Sequence, residues 1–310
     1  LASLVITYSD GTEQEVITDP ETWKYYNNGP LIYGSFFQGE VYDATREAET
    51  EGGNQSGYDD SNWKKATEVP LEGTTCVDES FGKEMGFASI ASYDDMKLIG
   101  QMGQNAGVVK ELTAISKEEV RPGVFVYDMG QNMVGIPQIF IQSGKAGDTI
   151  TLRYAEVKYP DMPEYGKNIG MIMLENIRAA LAQDLYILKG GKETIQPHFT
   201  FHGYRFVEIT GIDEALPLDA VKGKVISSVK ELSSAYETSN PKVNRLWKNI
   251  TWSTLSNFLS IPTDCPQRNE RMGWSGDISV FARTSTYLAD ASNFLSRHML
   301  NMRNTQRKDG

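Results

Sequence analysis

The sequence predicts a mainly β, multidomain chain that ends in helices. Two observations carry this: short β-rich runs punctuated by glycine turns recur through the first three quarters, and the apolar period becomes helical near residue 238. A third sets the scale. With 310 residues, 40% of them hydrophobic, the chain has enough apolar material for more than one core.

The elements follow in order. Leu4–Tyr8 (LVITY) reads as a strand, Asp10-Gly11 as a hairpin turn, and Glu13–Thr18 as the returning strand. Glu47–Gly57 is polar and glycine-rich and reads as an exposed loop, while residues 88–110 carry few signals and are taken as a domain boundary. Val124–Tyr127, Ile136–Ile141, Thr149–Tyr154, Leu185–Leu188, Phe199–Phe201 and Phe206–Thr210 are further short β-rich runs. Turns such as Ser143–Asp148 and Lys189–Lys192 separate them, a pattern that suggests sandwiches. Met171–Gln183, rich in Met, Leu and Ala, has a helical look by propensity. Downstream, Asn240 is a good helix N-cap and Pro241 suits the first helical position, where its missing N–H costs nothing. Val243, Leu246, Trp247 and Ile250 then form one apolar stripe. Ile278, Phe281, Ala282, Ser285 and Leu288 form a second; Phe294, Leu295, His298, Met299 and Met302 form a third, with His298 read as an ordinary helix-face residue.

Charge narrows the partners. Thirty Lys and Arg stand against 41 Asp and Glu, a net charge of -11. That balance argues against nucleic acid, whose phosphates need a clustered cationic surface, and leaves a neutral or cationic small substrate open. No stretch approaches the roughly 18 apolar residues of a membrane span. Cys76 and Cys265 form neither a disulfide framework nor a metal pattern. His198 and His202 have helical ligand spacing but sit among strand residues, so no metal is expected there, and no cofactor is implied. The acid content is compatible with calcium, but no run of acids has loop-ligand spacing. Low cysteine use suits the cytoplasm or a bacterial envelope equally, and oligomeric state leaves no readable mark. Leu1 opens directly on a strand and the last residues follow a helix, so the chain reads as a piece of a longer protein.

Between the first two helical stripes, Ile261–Asp277 (IPTDCPQRNERMGWSGD) holds two prolines, two glycines, two arginines, a Trp and the carboxylates of Asp264, Glu270 and Asp277. Prolines and glycines impose a fixed irregular path. Acids beside an aromatic plate suit sugar chemistry: one carboxyl protonates a leaving oxygen, others accept hydroxyls, and Trp274 covers an apolar ring face. On residue types alone, a surface loop in which Arg268 and Arg271 pair with those carboxylates is an equal reading.

The string itself decides between them. Asn240–Trp247 (NPKVNRLW) followed by Asn257–Thr284 (NFLSIPTDCPQRNERMGWSGDISVFART) resembles bacterial α-L-rhamnosidases of glycoside hydrolase family 78. Gly39–Ala44 (GEVYDA), Tyr127–Gly135 (YDMGQNMVG) and Phe199–Gly211 (FTFHGYRFVEITG) are similar to the same family in the same order. The resemblance implies two β-sandwich-type domains, at 1–105 and 106–237, the second concanavalin-like, followed at 238–310 by the first helices of a truncated (α/α)6 barrel. It implies an inverting hydrolase that removes terminal non-reducing α-L-rhamnose from glycosides or polysaccharides. Glu270 would be the general acid; Asp264 and Asp277 would bind the rhamnose; Trp274 would line its pocket; Arg268 would orient a carboxylate or touch the sugar. Asn269 stands where the family usually has Asp, and Ser275 where it often has Thr. Under the resemblance, Met171–Gln183 belongs to a β-domain.

Inversion also needs a general base, with the two carboxyls roughly 6.5–9.5 Å apart. In the family that base is a glutamate further along the barrel. The only acids after Asp277 are Asp290 and Asp309, and neither matches it, so the chain is expected to carry the acid half of an active site and to be inactive by itself. Glu270 is expected to become strongly perturbed only when the rest of the barrel encloses it. The other reading is a non-catalytic protein whose β-domains bind carbohydrate or a partner, with Trp23, Tyr25, Tyr26 or Trp63 as a binding face and core packing as their ordinary alternative.

Overall fold

The computed structural model describes residues 2–69 and 99–306. Cys76, Asp309 and the part of the expected boundary before Ile99 lie outside the described residues. The structure is mainly β, with three α-helices among the described residues.

The chain divides into two compact units, Leu1–Gly29 with Arg46–Leu98, and Pro30–Thr45 with Ile99–Gly310. In the first unit, β1 (Ser3–Thr7) and β2 (Glu13–Ile17) form the expected antiparallel hairpin, with Ser3 opposite Ile17. Gly11 takes φ +86° at its turn, and the Asp10 carboxylate accepts the backbone N–H of Thr12 at 2.9 Å, closing the turn as Asx residues do. The same unit holds a two-stranded pair, β3 (Lys24–Tyr25) with β6 (Lys64–Lys65). Trp63 stacks on Tyr26 (ring centres 5.9 Å apart) and meets the edge of Tyr58, whereas Trp23 and Tyr25 stay exposed.

The second unit is built on a ten-stranded sheet. Its strands are β4 (Leu31–Ser35), β5 (Gly39–Asp43), β7 (Gly107–Thr113), β8 (Ser116–Arg121), β9 (Val124–Gly144), β10 (Thr149–Ala155), β11 (Gln183–Ile187), β12 (Gly191–Ile195), β13 (His202–Thr210) and β14 (Val221–Ser227). The main path runs β4-β5-β11-β10-β13-β9-β14-β7, and β8 and β12 also pair with β9. Neighbours are antiparallel except β5, which lies parallel to β11. The two expected strands at 124–127 and 136–141 are one strand of 21 residues, with Gly130 at φ +74° and a shift in its pairing to β13 between them. A bend of that kind lets one strand serve two sets of neighbours. The core is apolar and aromatic: Tyr127, Ile139, Ile150, Leu152, Tyr154, Tyr204, Val207 and Ile209 are buried.

One expected strand needs correcting, and the ambiguous segment before β11 is settled. Phe199–Phe201 is not a strand, because the Glu40 carboxylate takes the backbone N–H groups of His198 (2.9 Å) and Phe199 (3.0 Å) and the ladder begins only at His202. Met171–Gln183 is turns around a short 3-10 segment, Glu175–Ile177, and Gln183 already belongs to β11. Arg178 (φ +56°) and Ala182 (φ +44°) break any helix its composition favours.

Three helices follow: α1 (Pro241–Asn257), α2 (Ser275–Leu288) and α3 (Ser292–Thr305). Asn240 caps α1 as expected, its side chain accepting the Lys242 N–H at 3.0 Å with Pro241 at the first position. Trp252 of α1 packs on the core of the sheet, while Phe258, Ile278 and Phe294 form a second cluster in which the rings of Phe258 and Phe294 stack 4.2 Å apart. Ile278, Ser285 and Leu288 are buried as their stripe requires, but Leu246 (57% exposed) and Met299 (62%) face outward. Among the described residues no helix is long and apolar enough to cross a membrane.

Candidate active site

The segment between α1 and α2 folds as a narrow-necked loop. After β15 (Phe258–Leu259) and β16 (Ile261–Pro262), Thr263 bridges Gly273, the Asp264 N–H donates to Met272 O at 2.8 Å, and the Arg271 N–H donates to Asp264 O at 2.9 Å. Residues 265–270 form the head. Cys265, its first residue, and Arg271, the residue just after it, both sit in the left-handed region with φ +49° and +53°, an arrangement most side chains resist. Trp274 then leads into α2, whose first turn carries Asp277.

In the head, Glu270 is held from two sides. The Trp274 indole Nε1 donates to Oε1 at 2.9 Å, and the Arg268 guanidinium pairs with Oε2 at 2.5 Å. Arg268 also reaches the Cys265 sulfur at 2.8 Å. A carboxylate oxygen from each of Asp264 and Glu270 and the Cys265 sulfur lie within 4.8 Å of one another, the one such trio with metal-ligand potential among the described residues. Arg268 already supplies the positive charge that trio would seek, and burial pushes the Cys265 thiol up, away from the thiolate a metal needs.

Asp264 and Asp277 meet on a cleft of about 270 Å³, lined also by Ser253, Asn257, Phe258 and Phe281. Asp264 faces a second cleft of about 410 Å³ too, between α1 and the sheet, with Asn132, Glu156, Trp252 and Gln267 in its wall. Glu270 lies outside the lining of both. The loop therefore joins all five candidates: two acids on a cleft with an aromatic wall, and a third acid beside them under an exposed indole (Trp274 is 49% exposed). Such a set can hold sugar hydroxyls and present one carboxyl to a leaving oxygen.

The two arginines behave differently. Arg268 pairs with Glu270, as a charged-loop reading expects. Arg271 pairs with no loop carboxylate. It is 8% exposed, and its Nη1 donates to the backbone oxygens of Phe36 and Phe201, the second at 2.8 Å. Its guanidinium lies over the rings of Phe201 (4.8 Å) and Phe37 (5.7 Å).

Residues of the other motifs meet the loop from below. Gly203 is where β13 touches it: a Cβ there would stand 2.8 Å from Gln267 Cβ and 3.0 Å from its backbone N and Cα. Beside it, buried Asp184 accepts from the Glu40 N–H (2.7 Å) and the Tyr154 hydroxyl (2.5 Å) and faces His202 Nε2 at 3.0 Å. Arg205 grips Asp128 with two hydrogen bonds, at 2.8 and 2.7 Å; burial raises the Asp128 carboxyl but the Arg205 bonds outweigh it, leaving it below the usual range. Gly39 has φ +108° and touches Gln183 O so closely that no Cβ fits. The separate stretches 39–44, 127–135 and 199–211 thus serve one sheet and the loop above it. From the far side, His298 of α3 packs near Gly273; it is 6% exposed and its Nε2 has no hydrogen-bond partner.

Three family models match successive stretches of the chain. Residues 1–82 match the α-L-rhamnosidase N-terminal domain, 118–227 the bacterial α-L-rhamnosidase concanavalin-like domain, and 231–310 the bacterial α-L-rhamnosidase six-hairpin glycosidase domain. The chain belongs to the bacterial α-L-rhamnosidase family. An α-L-rhamnosidase from Streptomyces avermitilis is 38% identical across all of the chain, and one from an Alteromonas species is 36% identical. The structure superposes on that of an α-L-rhamnosidase from Dictyoglumus thermophilum with a TM-score of 0.82 at 32% identity, covering 98% of this chain and 31% of that one. It superposes on the Streptomyces avermitilis enzyme complexed with L-rhamnose with a TM-score of 0.80 at 36% identity, covering 99% and 27%. The chain spans 27–30% of the length of the two curated relatives.

Proposed function

We propose that this chain is the β-rich front and the first helices of an inverting α-L-rhamnosidase, acting on terminal non-reducing rhamnose of glycosides or polysaccharides. In this reading residues 1–105 and 106–237 are β-sandwich-type domains, with Leu31–Ser35 and Gly39–Asp43 of the first lent to the sheet of the second, and 238–310 opens an (α/α)6 barrel. Glu270 is the general acid, protonating the leaving oxygen. Asp264 and Asp277 take rhamnose hydroxyls, Trp274 covers the apolar ring face, and Arg268 orients Glu270. The general base that activates water on the opposite face comes from a part of the barrel beyond this chain, across the roughly 6.5–9.5 Å that inversion requires. The observation that carries the reading is the pairing of Glu270 with both Trp274 and Arg268 beside the Asp264–Asp277 cleft.

The test is hydrolysis of an alkyl α-L-rhamnoside, whose leaving group needs a proton, by this chain and by the complete enzyme, each with and without Glu270→Gln. The expected result is turnover by the complete enzyme alone, reduced by about 10²–10⁴-fold in the variant. Turnover by the isolated chain, lost on Glu270→Gln, would refute the assignment of the base to the missing part. The exposed Trp23 and Tyr25 favour a second reading, carbohydrate binding without catalysis. An intact rhamnosidase loop with no activity in the complete protein would support it.

A further inference from the structure

Arg271 directly follows the candidate acid, yet its side chain leaves in another direction. Its left-handed backbone turns the chain so that Glu270 reaches Trp274 and Arg268 while Arg271 runs into the sheet. There it meets two places that sequence separates widely: Phe36, in the turn between β4 and β5, and Phe201, just before β13. One nitrogen bonds both backbone oxygens, and two phenylalanine rings flank the guanidinium, a geometry that suits the flat face of arginine and not the point charge of lysine. The remaining Nε and Nη2 are buried without hydrogen-bond partners. Burial pulls its pKa down to about 10, against the pull of the nearby Asp184 charge, so it remains a cation at neutral pH.

A buried charge with only part of its hydrogen-bonding capacity used is a poor way to gain stability, since an apolar side chain of similar length would avoid the desolvation. What the arrangement does supply is direction. The Arg271 N–H is bonded to Asp264 O, so the same residue ties the acid and the rhamnose-binding aspartate to one spot on the sheet. Gly203, which admits the Gln267 backbone against β13, fixes the other end of the loop head.

We propose that Arg271 is a positioning residue: by anchoring on the Phe36 and Phe201 carbonyl oxygens, it makes the β-sheet the reference that aims Glu270 at the leaving oxygen. This rests on the reading of Glu270 as the general acid.

The experiment uses the complete enzyme and two substrates that differ in their need for an acid. A dinitrophenyl rhamnoside leaves as a stable phenolate, and an alkyl rhamnoside leaves only when protonated. Arg271→Met keeps an unbranched stem between the rings but removes both hydrogen bonds; Arg271→Lys keeps the charge and a single donor nitrogen. Arg271→Met is expected to lower kcat on the alkyl rhamnoside by about tenfold or more and on the dinitrophenyl rhamnoside by less than about threefold, with KM nearly unchanged, and Arg271→Lys is expected to recover part of the loss. Equal losses on both substrates, or no loss, overturn the proposal. If Arg271→Met melts at the assay temperature, the same substrate comparison on Arg271→Lys decides. Glu270→Gln runs in parallel. If it fails to discriminate the substrates, the acid assignment falls and the aiming role with it. If it discriminates and neither Arg271 variant does, only the aiming role falls.

Discussion

The indole N–H of Trp274 donates to the Glu270 carboxylate at 2.9 Å, so the residue expected to cover the sugar ring also holds the residue expected to protonate its leaving group. Ring stacking and acid placement are therefore one structural unit. Trp274→Phe keeps an aromatic face and removes only the donor. In the complete enzyme kcat is expected to fall about tenfold, matching roughly 1.5 kcal/mol for a hydrogen bond to a charged group. Because the indole is half exposed, urea unfolding should shift by no more than about 0.5 kcal/mol. Unchanged kcat would mean that the N–H does nothing for the acid.

Gly203→Ala is expected to destabilise the chain by about 1–3 kcal/mol, because its Cβ would meet Gln267 backbone atoms at 3.0 Å and neither partner is a flexible side-chain end. Chemical denaturation measures this directly. The mutation should also loosen the loop, seen as faster amide exchange at residues 264–271. A stable variant with unchanged exchange would show that the loop moves away without cost.

His298 gives a pH dependence of defined sign. Burial lowers its pKa, so the fold holds it neutral in a range where the unfolded chain already binds a proton. The unfolded state then binds more protons, and stability present above the ordinary histidine pKa of about 6.5 is lost as pH falls below it, by at most about 1.4 kcal/mol per pH unit. Urea midpoints at pH 7.5 and 5.5 should differ less in His298→Leu than in the parent. An equal difference in both would place the effect elsewhere.

Cys265 should alkylate slowly. Burial raises its thiol pKa, so at pH 8 the folded chain is expected to react with iodoacetamide more slowly at this site than the chain in urea. Peptide mapping separates it from Cys76. Rapid labelling at Cys265 in the folded chain would contradict the packing of the loop head.

Much of this was legible in the sequence because its cause is local. Asp10-Gly11 dictates a turn, Asn240-Pro241 dictates a helix start, and both appear where the residues place them. The loop was legible from an unusual string; in the structure Trp274 and Arg268 hold Glu270, while Asp264 and Asp277 share a cleft whose lining leaves Glu270 out. What was not legible depends on partners far along the chain. Phe199–Phe201 looks like a strand until Glu40, about 160 residues earlier, takes the N–H groups of His198 and Phe199. Arg268 and Arg271 are identical in type and three apart; only the position of Phe36 and Phe201 makes one a partly buried partner of Glu270 and the other a buried anchor. Gly203 and Asp184 likewise reveal their roles only when β13 and β11 are placed against the loop and β5.

The parallel pairing of β5 with β11 also fixes an order of events during synthesis. Glu40 and Asp184 are 144 residues apart, and at about 5–20 residues per second a ribosome needs roughly 7–30 s to make that stretch. For that time the Gly39–Asp43 strand has been made but its parallel neighbour has not, and its edge is open to other strands. The Phe36 carbonyl that receives Arg271 waits longer still. Slow codons or a chaperone acting between these two points should therefore change the yield of native protein more than the same intervention after residue 210.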